Sequence, residues 1–439
     1  MSLSKVLIVN QPFNKNTGGG ITLSNLFAGW DTDKVAVISV GHMLNNLDYS
    51  ICTNIYQLGQ KESKVMFPLN FVQKKFISGP LKIEENSIDG SLQPIKKSKL
   101  REKFVYGIFY PFLTFTGIFH SFSRSVVSAE LMEWIEEFNP DVIYAQVSSM
   151  ETILFCKELH SRVKKPMAIH MMDDWPTTIS NKGLFKKSWE RKIDKEFRRL
   201  LNSASALMSI SDEMSRAYKI RYHLDFIPFH NPIDIEFWKK SQRTNYEISD
   251  SPGLLYAGRI GPGIQDSLQT IAAAIVQVNT ELKISMKFIL HTSEKPLWVN
   301  EYSCVVHQGF VAYNDLPKIF SEVDFLILPY DFSEESINFI RYSMPTKATE
   351  YMMSGTPIII FSPKDTAIVK YAEMYHWAVI VTENKVSALA EAIKQAIQNK
   401  QIRESITTNA KLVAEQNHGS ELITHNFRKV ISSLIPSNS

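Results

Sequence analysis

The sequence predicts an α/β protein built from two doubly wound, Rossmann-like parallel-sheet domains facing a cleft. Three observations carry that expectation. At 439 residues the chain is longer than one hydrophobic core usually fills. After residue 130, short β-rich runs alternate with amphipathic helical windows, the pattern of parallel strands joined by crossover helices. The segment 226–232, Phe-Ile-Pro-Phe-His-Asn-Pro, then interrupts the alternation with two prolines and a turn-forming asparagine. The expected domains are therefore 1–231 and 232–410, with 411–439 free to pack on either half.

Taken in order, Lys5-Val6-Leu7-Ile8-Val9-Asn10 reads as a first buried strand, because its apolar run is too short for a targeting segment and breaks at once into polar, glycine-rich residues. Residues 58–103, polar and basic with scattered aromatics, read as an insertion or mobile loop, part of a variable region 58–125. Within it, 104–122 is aromatic and nearly uncharged and follows the basic run 96–101. Gly107, Pro111 and Gly117 break it, so a core-packed helix is favoured over a surface that docks on membrane. Runs 141–144, 167–170 and 206–210 then read as strands, and 151–160, 187–201 and 212–221 as helices. Ser211 stands where an N-cap belongs, ahead of Asp212 and Glu213. Beyond the break, 254–257, 286–290, 323–328, 358–361 and 378–381 read as a second strand series, followed by helical windows at 401–415 and 421–434.

Composition excludes several classes. With 44% apolar and 21% charged residues the chain is neither disordered nor fibrous, and a net charge of +3 is too weak to point to nucleic acid. Cys52, Cys156 and Cys304 are widely spaced and odd in number, which fits neither a disulfide framework nor a zinc site and suits a reducing cytoplasm.

Ligands of open parallel sheets bind at the carboxyl ends of the strands. Four segments there are chemically loaded. In 16–22, Gly18, Gly19 and Gly20 follow the first strand and would let backbone amides approach an anion. In 256–263, Gly258, Gly261 and Gly263 surround Arg259, a cation leaving a buried strand with room for something to reach it. In 343–358, Thr346 can cap a short helix ending at Gly355. Lys347 then falls in the first turn, where its charge opposes the helix dipole unless an anion binds. Glu350, one turn on, can accept hydrogen bonds from vicinal hydroxyls. In 170–176, His170, Asp173 and Asp174 can bind hydroxyls, serve as a base, or hold a metal; a structural histidine remains the alternative. A metal is the weakest reading, since no second ligand cluster is visible.

These segments, in this order, resemble the GT-B glycosyltransferases, particularly their retaining family four. The matches are LLYAGRIGPG (254–263), VDFLILPY (323–330), MPTKATEYMMSGTPIIIFSP (344–363), SISDEMSRAYKIRY (209–222) and FHNPID (229–234). The resemblance implies a GT-B architecture and transfer of a sugar, without a metal or other cofactor, from a nucleoside-diphosphate sugar to a saccharide or lipid-linked acceptor in surface-polysaccharide or glycan biosynthesis. Arg259 and Lys347 would hold the diphosphate, Glu350 the ribose, and Gly19 and Gly20 would approach the phosphate or sugar. His170 would touch the sugar near the reacting carbon, with Asp173 beside it. Two positions depart from the family's pattern. Ile264-Gln265 stand where a Lys-Gly pair is common, and Tyr342 where a glutamate eight residues before Glu350 normally contacts the sugar. The expected location is the cytoplasm, peripheral at the inner membrane face, with the domains closing about 226–234. A sugar-nucleotide epimerase and a catalytically silent binding protein are the rival readings.

Overall fold

The structure, a computed structural model, describes residues 3–15, 17–67, 69–71, 75–81, 109–116, 123–178, 183–261 and 263–436. The chain forms two compact units. One runs to Phe229 and takes back the chain from Thr424; the other is His230–Ile423.

The first unit holds β1 (Val6–Val9), β2 (Val35–Val40), β3 (Asn54–Leu58), β4 (Ser63–Val65), β5 (Gly79–Pro80), β6 (Ser123–Ser125), β7 (Val142–Ala145), β8 (Met167–Met171), β9 (Ala206–Ser209) and β10 (Ile227–Pro228). Eight of these make one sheet in the order β10-β9-β8-β7-β1-β2-β3-β5, parallel except for the edge pairing of β3 with β5. Strands β1, β7 and β8 are buried at every residue. Their continuous apolar runs are what a sheet covered on both faces requires. Strand order reverses between β1 and β7, placing the switch point after Val9 and Ala145. Ser211 caps the Asp212–Tyr222 helix as its sequence predicts, accepting from the Met214 amide. The returning Ser420–Ser433 helix buries Phe427 against Phe27, Phe229 and Tyr144, with ring centroids 5.1, 5.4 and 5.8 Å away.

The second unit holds β11 (Gly253–Ala257), β12 (Lys287–His291), β13 (Val305–His307), β14 (Phe325–Pro329), β15 (Ile358–Phe361) and β16 (Val379–Val381). All pair in parallel, in the order β13-β12-β11-β14-β15-β16. Its switch point lies between β11 and β14. The Gln265–Leu282 and Val386–Gln398 helices bury Ile271, Ile275, Leu389 and Ile393 in the same apolar core as Leu254, Phe325 and Ile359.

The variable region differs from expectation where it is described. Its start and end pair as an antiparallel ribbon, β4 with β6. Of the 104–122 stretch, 109–116 is described and contains a seven-residue helix, Tyr110–Thr116. Leu113 is buried, while Phe112 and Phe115 face solvent, so the core-packed reading fails at these two rings. The basic run 96–101 lies outside the described residues. Among the described residues no helix is long and apolar enough to cross a membrane.

Candidate functional site

At the switch point of the second unit, β11 ends and the chain turns at Gly258, whose amide donates to the His291 carbonyl at 3.0 Å. Gly258 has φ +148°, and a Cβ there would come within 2.2 Å of Lys347 Nζ. The glycine therefore serves two ends: it permits the turn, and it lets an ammonium lie against the strand end. Lys347 reaches that point from the Thr346–Ser354 helix. Its Nζ stands 4.2 Å from the centre of the Tyr256 ring, a cation–π contact, and the Tyr256 hydroxyl donates to the Arg259 carbonyl at 2.7 Å. One turn on, Tyr351 Oη accepts from the Ala257 amide at 3.0 Å. The strand end and the helix start are thus tied together, with Arg259 following, exposed to solvent. Among the described residues no carboxylate forms an ion pair with either cation.

The amino terminus of this helix is chemically open. Its N-cap is Pro345, no side chain caps it, and its first turn has no acidic residue. Thr346 is consequently the first helical residue and not the cap expected from sequence; the proline's extended backbone takes that place. A helix start with uncapped amides and a lysine favours an anion. The Gln265–Leu282 helix after Arg259 contrasts with it, because Asp331 already accepts from the Ser267 amide in its first turn at 2.8 Å. Burial raises the Asp331 carboxyl, and the Ser267 bonds oppose that rise.

Glu350 lies on the same helix and is only 7% exposed. Burial pushes its carboxyl up to about 7, against the attraction of Lys347. Its charge also helps hold the Tyr313 phenol above the ordinary tyrosine range, after burial as the main cause. Tyr313 stacks on Phe237, centroids 5.5 Å apart and planes at 7°. No sequence motif marked Tyr313, and Tyr256, although inside LLYAGRIGPG, was given no role there.

In the first unit the glycine segment is not a loop. Gly18, Gly19 and Gly20 form the first turn of the Gly18–Leu26 helix, and Thr17 is its N-cap, accepting from the Gly20 amide at 3.1 Å. A Cβ on Gly20 would sit 2.4 Å from the Asn14 amide group, and Asn14 Oδ1 accepts from the Thr17 amide and hydroxyl. Gly20 therefore makes room for a buried asparagine, and its amide is already bonded to the Thr17 hydroxyl. Gly19 faces two glutamines: Gln11 Oε1 would lie 2.9 Å and Gln146 Oε1 3.6 Å from a Cβ there. Both were missed, as lone glutamines carry no motif.

His170 is enclosed by protein. It sits inside β8 with no exposed surface, hydrogen-bonded through Nδ1 to Tyr144 Oη at 2.6 Å. Burial lowers its pKa to about 4, so the ring is neutral near pH 7. Tyr144 Oη in turn accepts from Gln146 Nε2 at 3.3 Å, a chain that ends beside Gly19. In this arrangement the imidazole touches protein, with Nδ1 on Tyr144 Oη and Nε2 buried without a hydrogen-bond partner. Asp173 is half-buried just past the end of β8. Asp174 is structural: Arg221 grips both its oxygens at 2.7 and 3.0 Å, and Tyr218 and Thr177 donate to it. Among the described residues no group of three or more histidines, cysteines or carboxylates is placed to hold a metal.

The fold and this arrangement define a class: paired Rossmann-like units of the GT-B kind, with cations at the switch point of the second. Residues 251–399 match the family model Glycosyl transferases group 1. Among solved structures, the chain resembles Anabaena HepE in complex with UDP (TM-score 0.59, 14% identity, covering 98% of this chain and 100% of that one). It likewise resembles the sucrose-phosphate synthase of Thermosynechococcus elongatus (TM-score 0.59, 11% identity, 98% of each chain). A third likeness is to WaaG, a glycosyltransferase involved in lipopolysaccharide biosynthesis (TM-score 0.56, 12% identity, covering 97% and 99%). No curated protein matches the chain in sequence.

Proposed function

We propose that this protein is a glycosyltransferase that moves a sugar from a nucleoside-diphosphate sugar to a saccharide or lipid-linked acceptor, with retention of anomeric configuration, in surface-glycan synthesis. The observation that carries the reading is the Lys347 ammonium lying against Gly258, beside Arg259, at an uncapped helix start within the segment matching the group 1 family model. Breaking the anomeric C–O bond leaves negative charge on the departing diphosphate and positive charge on the sugar. Lys347, Arg259 and the amides of the Thr346–Ser354 helix are suited to receive that negative charge, in the place a metal ion takes in other enzymes. Glu350 is suited to accept hydrogen bonds from ribose hydroxyls, and the Gln146-Tyr144-His170 chain to orient a group near Gly19. The acceptor falls to the first unit, and the enzyme works in the cytoplasm at the inner membrane face. That HepE has been crystallised with UDP-glucose supports the choice of donor class.

The test is Lys347→Ala, with nucleoside-diphosphate affinity measured by calorimetry and turnover by release of the diphosphate. Loss of a charge-assisted contact is expected to weaken binding by about 1.5–3 kcal/mol, roughly tenfold or more. Unchanged affinity and turnover would sink the assignment. Tyr342, standing where the family's glutamate contacts the sugar, favours one second reading, a binding protein without turnover. That reading predicts diphosphate binding with no product under any acceptor.

A further inference from the structure

The first unit carries an apolar surface that the sugar-transfer reading leaves unexplained. The Leu184 amide donates to the Phe115 carbonyl at 2.7 Å, joining the Tyr110–Thr116 helix to the start of the Lys186–Ser203 helix. Around this bond Phe112, Phe115, Leu184 and Phe185 are exposed by 52, 68, 70 and 48%. Four large apolar side chains grouped in solvent mark a contact surface.

Its charge identifies the occupant. The first two turns of the Lys186–Ser203 helix carry Lys186, Lys187, Arg191 and Lys192 against one carboxylate, Glu190. The helix's N-cap is Phe185, which makes no side-chain cap bond, and its first turn has no acidic residue. Cations there oppose the helix dipole, a conflict that neighbouring phosphates would relieve. Aromatic and leucine side chains rimmed by lysine and arginine suit a bilayer interface, where rings enter the acyl boundary and cations meet anionic headgroups.

We propose that this face docks on an anionic bilayer, with Phe115 and Leu184 inserted and Lys187 and Arg191 on lipid phosphates. The claim deepens the placement of the enzyme at the membrane but does not rest on sugar transfer. Flotation of the full chain with phosphatidylcholine vesicles, with and without phosphatidylglycerol, tests it. Binding is expected only with phosphatidylglycerol, weakening as salt rises. The Phe115→Ser and Leu184→Ser double variant should lose roughly tenfold or more in partitioning. Lys187→Glu should lose about fivefold or more. Both alter exposed side chains, so unchanged melting temperatures confirm intact folding. Absence of wild-type binding to anionic vesicles, or binding that the double variant retains, overturns the proposal. So does a sedimenting dimer that the double variant dissociates, which would assign the face to a second copy.

Discussion

At the scale of single residues, Glu350 gives the sharpest expectation because its cost to the folded unit depends on pH. Its carboxyl is held near 7 in the folded chain against 4.5 as the reference value, chiefly by burial. Between those values the folded state binds more protons than the unfolded one, so stability is greatest below about 4.5 and declines as pH rises through about 7. Glu350→Gln removes that penalty. The variant should be more stable than wild type at pH 8, by up to about 3 kcal/mol, with the difference shrinking as pH falls and vanishing below about pH 4.5. Melting curves over that range check it. The same variant should bind nucleoside diphosphate more weakly, since a neutral amide accepts hydrogen bonds from ribose less well. A pH-independent difference in melting would show that burial is not what burdens the carboxylate.

Secondary-structure elements explain which parts of the site could be read in advance. The strand ends were legible because buried parallel strands are continuous apolar runs; Arg259 stood out as a charge following such a run, and Lys347 as a cation in the first turn of a short helix. What sequence could not show was which helix start was already occupied. Asp331, sixty-odd residues beyond the Gln265–Leu282 helix start, supplies that helix with its carboxylate; the Thr346–Ser354 helix has no equivalent cap. Asp331→Ala should therefore destabilise the second unit by about 1–2 kcal/mol, as losing a helix cap does, lowering its melting temperature. Because the diphosphate is assigned to the other helix, affinity measured on the folded variant should stay near wild type. Marked loss of affinity there would move the anion to the Gln265–Leu282 helix. Glycines are ambiguous for a related reason. Three in a row signal close approach, but only the fold reveals that what approaches Gly20 is Asn14. His170 followed the same pattern, since a histidine at the end of an apolar run reads alike whether the strand stops before it or, as in β8, continues past it.

For the molecule as a whole, the informative feature is that the chain leaves the first unit at Phe229 and returns to it from Thr424. The returning Ser420–Ser433 helix places Phe427, with no exposed surface, among Phe27, Tyr144 and Phe229. Arg428 adds a bond to the Ala28 carbonyl and lies over the Trp30 ring. The first unit's core is thus completed by the last part of the sequence, a contact between residues some four hundred positions apart that no local pattern encodes. Removing the Phe427 ring deletes a filled core position, and Phe→Ala changes at such positions cost about 3–5 kcal/mol. Phe427→Ala should accordingly lower the unfolding temperature of the first unit by several degrees. The second unit contains Lys347, Arg259 and Glu350 and keeps its own core, so its stabilisation by a nucleoside diphosphate should persist in the variant. Differential scanning calorimetry with and without the diphosphate separates the two effects. If the variant lost the diphosphate-induced stabilisation along with the first unit's stability, donor binding would need residues of both units, and the phosphate site assigned here to the second unit alone would be incomplete.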